Sequence, residues 1–73
     1  MKRLKKEILL KFGKRIQLLR KGKGFSQESL AYEIGVHRTY MGFIERGERN
    51  LTLLNIEKLS HALDITLSDL FNF

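Results

Sequence analysis

Apolar residues recur along this chain with the spacing of helices, not of strands. Leu4, Ile8, Phe12, Ile16 and Leu19 follow one another at intervals of four, four, four and three, which puts them on one helical face. Lys5, Lys6, Lys11, Lys14, Arg15 and Lys21 lie largely off that face. The pattern predicts a first helix over about residues 3–21, ended by Gly22 and Gly24. Gly13 interrupts it at about 1 kcal/mol relative to Ala, marking either a small kink or the start of its packed part. Ser26 can cap a second helix, whose first turn carries Glu28 in keeping with the helix dipole. Its buried face is Leu30, Ala31 and Ile34, and Gly35 stops it. A third helix follows at once, with Val36, Met41 and Ile44 as its apolar positions and Gly47 as its end. Arg49-Asn50-Leu51 forms a loop, and Thr52 caps a fourth helix with Leu53, Ile56, Leu59 and Leu63 inward. Thr66-Leu67-Ser68-Asp69 resembles a shortened capping box, opening a last turn that ends near Phe71. No alternating stretch of strand length, internal repeat or low-complexity segment is evident. The expected fold is all-α with five short helices.

Composition narrows the class. Seventy-three residues make a single domain, near the lower size limit for a core without a staple. Cys and Pro are both absent, which excludes a disulfide framework and a Cys-based zinc site. His37 and His61 have no Cys partners, so no metal is expected, and no cofactor is implied. No apolar run exceeds three residues, far below the roughly 20 that span a bilayer. Charges break every stretch that could serve as a signal peptide, so the chain is expected in the cytoplasm.

The net charge of +6 matters less than its distribution. Residues 1–23 hold ten Lys or Arg against Glu7 alone (+9), and residues 24–73 hold four against seven Asp or Glu (−3). Residues 1–11 form the basic start of helix 1. A basic segment on a mildly acidic body points to a polyanion, either nucleic acid or an anionic membrane surface.

The motif at residues 26–46 separates those two. Two short helices joined by a glycine turn form a helix-turn-helix. Gln27, Ala31, Gly35, Met41 and Ile44 fall at offsets of four, four, six and three. Ala31 is small where the next helix crosses, and Gly35 stands where the turn needs a left-handed residue. Leu30, Ile34, Val36, Met41 and Ile44 form the apolar joint.

These residues, with Phe12-Gly13-Lys14-Arg15-Ile16, Phe25-Ser26-Gln27-Glu28 and Ile44-Glu45-Arg46-Gly47-Glu48-Arg49-Asn50, resemble the phage-repressor-type (Xre/Cro-like) helix-turn-helix regulators. The likeness covers about residues 12–71. His37-Arg38-Thr39-Tyr40 followed by Ile44-Glu45-Arg46 also looks like the controller proteins of restriction–modification systems. The resemblance implies a lambda-repressor-like five-helix domain, bound as a homodimer to a twofold operator in double-stranded DNA, with the third helix in the major groove. His37, Arg38, Thr39, Gly42 and Phe43 would then face base edges, with Arg38 pairing bidentately to guanine. Gly42 and Phe43 depart from the family's usual polar residues there, so readout would lean on Arg38 and on DNA shape. Gln27, Tyr40, Arg46, Arg49, Asn50 and Lys14 would contact phosphates. Arg20 and Glu45 would form a buried salt bridge between helices 1 and 3. Residues 52–73, the last two helices, carry Leu67, Leu70, Phe71 and Phe73. These are either core or, since they exceed what so small a core needs, a dimerisation surface.

Enzyme chemistry finds no support. No Cys is present as nucleophile and no His is spaced with a carboxylate as in a triad. The competing readings are an antitoxin or protein-interaction module on the same fold, and a basic amphipathic helix lying on anionic lipid. His61 and most helix 1 lysines read as solvated surface.

Overall fold

A computed structural model describes the backbone of residues 2–73 and the side chains from Glu7 onward. Its elements are five helices: α1 (Lys2–Gly22), α2 (Gln27–Ile34), α3 (Arg38–Glu45), α4 (Leu53–Ala62) and α5 (Leu67–Leu70). No strand occurs among the described residues. The all-α expectation and the element order both hold. Leu4, Lys5 and Lys6 lie outside the residues whose side chains are described.

Local chemistry sets the boundaries. Ser26 accepts from the Ser29 amide while the Ser29 hydroxyl accepts from the Ser26 amide, so α2 opens on a reciprocal capping box. Thr52 caps α4 by accepting from the Asn55 amide, and Thr66 caps α5 by accepting from that of Asp69. Gly35 ends α2 at φ 74°, where an L side chain would be strained. After α4 the same left-handed role falls to Asp64, at φ 56°, a residue type that tolerates it.

The core consists of Phe12, Ile16, Leu30, Ala31, Ile34, Met41, Ile44, Leu59, Leu63 and Leu70, with Leu19, Phe25, Val36 and Ile56 packed around it. α1 crosses the end of α3 at Gly13. A Cβ there would stand 2.5 Å from the Ile44 carbonyl oxygen and 2.7 Å from that of Glu45. Gly13 therefore marks a close helix crossing, the second of the two roles its position allowed.

Three expectations about the core need correcting. Ile8 is half exposed, because it lies more than a turn before the Gly13 crossing and has passed the end of α3. Leu53 is 84% exposed: it opens α4 at the tip of the helix, off the face carried by Ile56, Leu59 and Leu63. Leu70, expected at a dimer surface, is fully buried, because the single turn of α5 packs on α4 and directs it inward.

Candidate nucleic-acid interface

α3 presents its first turn to solvent. His37 is its N-cap: Nδ1 accepts from the Thr39 amide at 3.0 Å, leaving Nε2 directed away from the helix end. Arg38 and Thr39 are exposed and Tyr40 is half-buried. Met41, Ile44 and Glu45 turn inward. The exposed and buried sides of α3 are thus sharply divided, and the divide leaves Arg38 as the long cationic side chain at the helix start.

Behind α3, Glu45 receives three donors. Arg20 Nε reaches Oε2 at 2.5 Å and Arg20 Nη2 reaches Oε1 at 3.1 Å, while Gln27 Nε2 donates to Oε1 at 3.0 Å. The remaining Arg20 nitrogen, Nη1, donates to the Phe25 carbonyl at 3.0 Å. The pair is buried, with side chains 9% and 3% exposed. Every guanidinium nitrogen and both carboxylate oxygens are engaged, the condition under which a buried polar network fixes one geometry. Gln27 stands at the start of α2 as expected, but its amide is turned toward Glu45. It couples the beginning of α2 to the end of α3.

A second cluster lies where α3 ends. The Glu48 amide donates to the Phe43 carbonyl at 2.9 Å across Gly47, which folds the chain back beside the helix. The guanidinium carbons of Arg46 and Arg49 each lie 5.1 Å from the centre of the Phe43 ring, and that of Arg49 also lies 5.6 Å from the Tyr40 ring. Arg46 Nε reaches Glu48 Oε1 at 3.2 Å, with both side chains about half exposed. Asn50 is exposed beside them. Sequence reasoning had named Tyr40, Phe43, Arg46, Arg49 and Asn50 but not Glu48. Its signal was a carboxylate two residues after Arg46 and next to Arg49.

Two expected positions fall elsewhere. Gly42 is buried, and a Cβ on it would meet Arg46 Nη1 at 3.1 Å. The Arg46 side chain folded back over the helix covers it, so it does not stand among the outward groups. Lys14 lines a groove of about 450 Å³ with Lys11, Arg15, Leu18, Asn72 and Phe73, a cluster distinct from the end of α3. Arg15 is itself tied to α5, donating from Nη2 to the Asp69 carbonyl at 2.7 Å.

The apolar surface forms a third region. Leu67, Phe71 and Phe73 are all partly exposed, and the Phe71 ring stacks on Phe12 at 5.2 Å. Leu53, Leu54, Ile56 and Glu57 join Leu67 and Phe71 around an open groove of about 410 Å³. Leu54 was missed because in the helical pattern it is merely one more leucine; only the packing leaves it uncovered.

The geometry agrees with known proteins at each level. A helix-turn-helix family model matches residues 16–70, so the chain belongs to the helix-turn-helix family, in its Xre-like branch. Members of this family are DNA-binding transcription regulators and not enzymes. Its relatives include restriction–modification controllers. Control protein C.MunI of Mycoplasma sp is 49% identical over 67 residues, covering 90% of each chain. Control protein C.BamHI of Bacillus amyloliquefaciens is 49% identical over 67 residues, covering 90% of this chain and 83% of its own. The crystal structure of the controller protein C.AhdI from Aeromonas hydrophila superposes with a TM-score of 0.82 at 53% identity, covering 85% of this chain and 90% of that one.

Proposed function

We propose that this protein is a controller-type transcription regulator, acting in the cytoplasm at the nucleoid, that binds a twofold DNA operator as a homodimer with α3 in the major groove. The observation that carries the reading is the division of α3. Its first turn holds Arg38 and Thr39 outward, while its inner side is anchored to α1 and α2 through Glu45, Arg20 and Gln27. A base-reading helix needs a fixed angle, and a fully bonded ion pair behind it supplies one.

Roles follow from position. Arg38 pairs with a guanine edge, and Thr39 adds a hydrogen bond or meets a thymine methyl. His37 stands at the helix start with Nε2 toward the groove. Arg46, Arg49, Asn50 and the Tyr40 hydroxyl hold phosphates beyond the end of α3. Gln27 opens α2, where the amides of Gln27 and Glu28, ahead of the capped Ser29 amide, face a phosphate on the other side. Lys14, in its separate groove, contributes through long-range attraction.

A second copy of the chain covers Leu53, Leu54, Leu67, Phe71 and Phe73, the exposed apolar surface built by α4 and the C-terminal turn. Lipid binding by α1 has no support, since Phe12 and Ile16, the centre of its apolar face, are buried in the core.

Selection from a pool of random duplexes tests the proposal. The expected product is a twofold sequence with half-sites about 10 base pairs apart, or a multiple of that, and log affinity falling linearly with log salt. No enrichment at low salt would sink it.

A further inference from the structure

Resting on the duplex-binding reading, we infer that Phe43 is a positioning residue rather than a base reader: its ring is the platform that holds Arg46 and Arg49 together as one two-arginine phosphate clamp. Three observations converge. Both guanidiniums lie 5.1 Å from the ring centre, within the range where a cation is drawn to an aromatic face. The backbone enforces the arrangement, since the Glu48 amide bonded to the Phe43 carbonyl brings the chain carrying Arg49 back beside the ring. Tyr40, three residues before Phe43 on α3 and so on the same side, gives Arg49 a second ring at 5.6 Å.

A guanidinium is planar and weakly hydrated, so it stacks on a ring while its edge N–H groups can turn to an oxygen pair; Arg46 Nε, bonded to Glu48 at 3.2 Å, exchanges that half-exposed partner for the phosphate. Two arginines ordered in this way lose less rotamer freedom when a phosphate arrives. With Gly42 beside it giving no side chain, Phe43 replaces a polar contact by ordering the groups next to it.

The test uses the full chain, a duplex recovered by selection and a random-sequence duplex of equal length, with affinity measured across salt. Phe43→Leu keeps bulk and apolarity but removes the ring. It is expected to weaken both duplexes equally, by about three- to thirtyfold, and to lower the salt slope by about one; Phe43→Tyr is expected to restore both. Arg46→Lys combined with Arg49→Lys keeps the charge and the ring but removes the planar stack. It is expected to match the affinity loss of Phe43→Leu on both duplexes, and it decides the question if Phe43→Leu does not fold. Loss confined to the selected duplex at unchanged slope would make Phe43 a base reader and overturn the inference. Wild-type affinity in Phe43→Leu, or in the double lysine variant, would overturn it as well. If the wild-type protein binds neither duplex, the regulator reading itself fails, an outcome distinct from these.

Discussion

Among the described residues two Arg–Glu pairs stand one at each side of α3, and they serve opposite ends. Arg20–Glu45 sits behind the helix with almost no exposed side chain, and every nitrogen of the arginine has a partner. Arg46–Glu48 sits in front, half exposed, with a single contact between its partners. In water-poor surroundings, separating opposite charges leaves one of them stranded, so the first pair is a rigid bolt. At the surface the same attraction is screened and competes with solvent, so the second pair exchanges easily. Burial, not residue type, decides which arginine holds the fold and which remains available to a phosphate.

The sharpest way to break the comparison is Arg20→Ala, which strands the Glu45 carboxylate with only the Gln27 amide beside it. We expect a loss of about 3–5 kcal/mol, or a fall in Tm of about 12 °C or more for a domain of this size. Arg38→Ala, at an exposed position, should move stability by no more than about 0.5 kcal/mol. Thermal melts of the two variants check this, and equal midpoints would refute the bolt. Gly13→Ala comes next. Its new Cβ meets backbone oxygens of Ile44 and Glu45 that cannot rotate away, so overpacking of about 1–3 kcal/mol should outweigh the gain of about 1 kcal/mol in helix propensity. Denaturant titration of Gly13→Ala against Gly22→Ala gives the sign: no atom lies within 4 Å of a Cβ on Gly22, so that variant should be neutral or slightly stabilised.

The helices were legible in the sequence itself, the bolt through family resemblance, and the surface pair not at all. Helix number, caps at Ser26, Thr52 and Thr66, and the joint residues Leu30, Ala31, Ile34, Met41 and Ile44 follow from local chemistry and a 3.6-residue period. The Arg20–Glu45 pairing came from family resemblance, because two charges 25 residues apart have no local signature. Periodicity also cannot tell where a helix outruns its neighbour. Ile8 lies two turns into α1, where the helix runs past α3, and is half exposed, while Leu53 opens α4 and is 84% exposed. Leu70 erred the other way, since a single-turn helix is too short for a pattern to say which side faces in. The resemblance puts Gly42 and Phe43 at the groove, and of the two Gly42 is buried. The folding back of Arg46 over Gly42 and onto Phe43 is a side-chain event that register does not encode.

A smaller effect separates reading from holding. Arg38→Ala should reduce discrimination between a selected operator and a scrambled duplex by about 1–3 kcal/mol, leaving binding to the scrambled duplex close to wild type. Competition binding at a single salt concentration measures the ratio. An unchanged ratio would mean that another group reads the sequence and that Arg38 only adds charge.

Glu48→Gln gives the smallest effect and the finest test of the contrast. The Glu48 carboxylate takes a hydrogen bond from Arg46 Nε, one of the donors that a phosphate would claim, and it adds negative charge to the surface proposed to meet DNA. The amide keeps the size and an acceptor oxygen but removes the charge. Binding to selected and scrambled duplexes should therefore strengthen together, by about 0.2–1 kcal/mol at low salt, and the gain should shrink as salt rises. Stability should move by less than about 0.5 kcal/mol, as for other exposed substitutions. Glu45→Gln, the same chemical change at the buried pair, should instead unsettle the fold by weakening its bond to the Arg20 guanidinium. If Glu48→Gln destabilises the protein as much as Glu45→Gln does, the two pairs are alike and burial is not what distinguishes them.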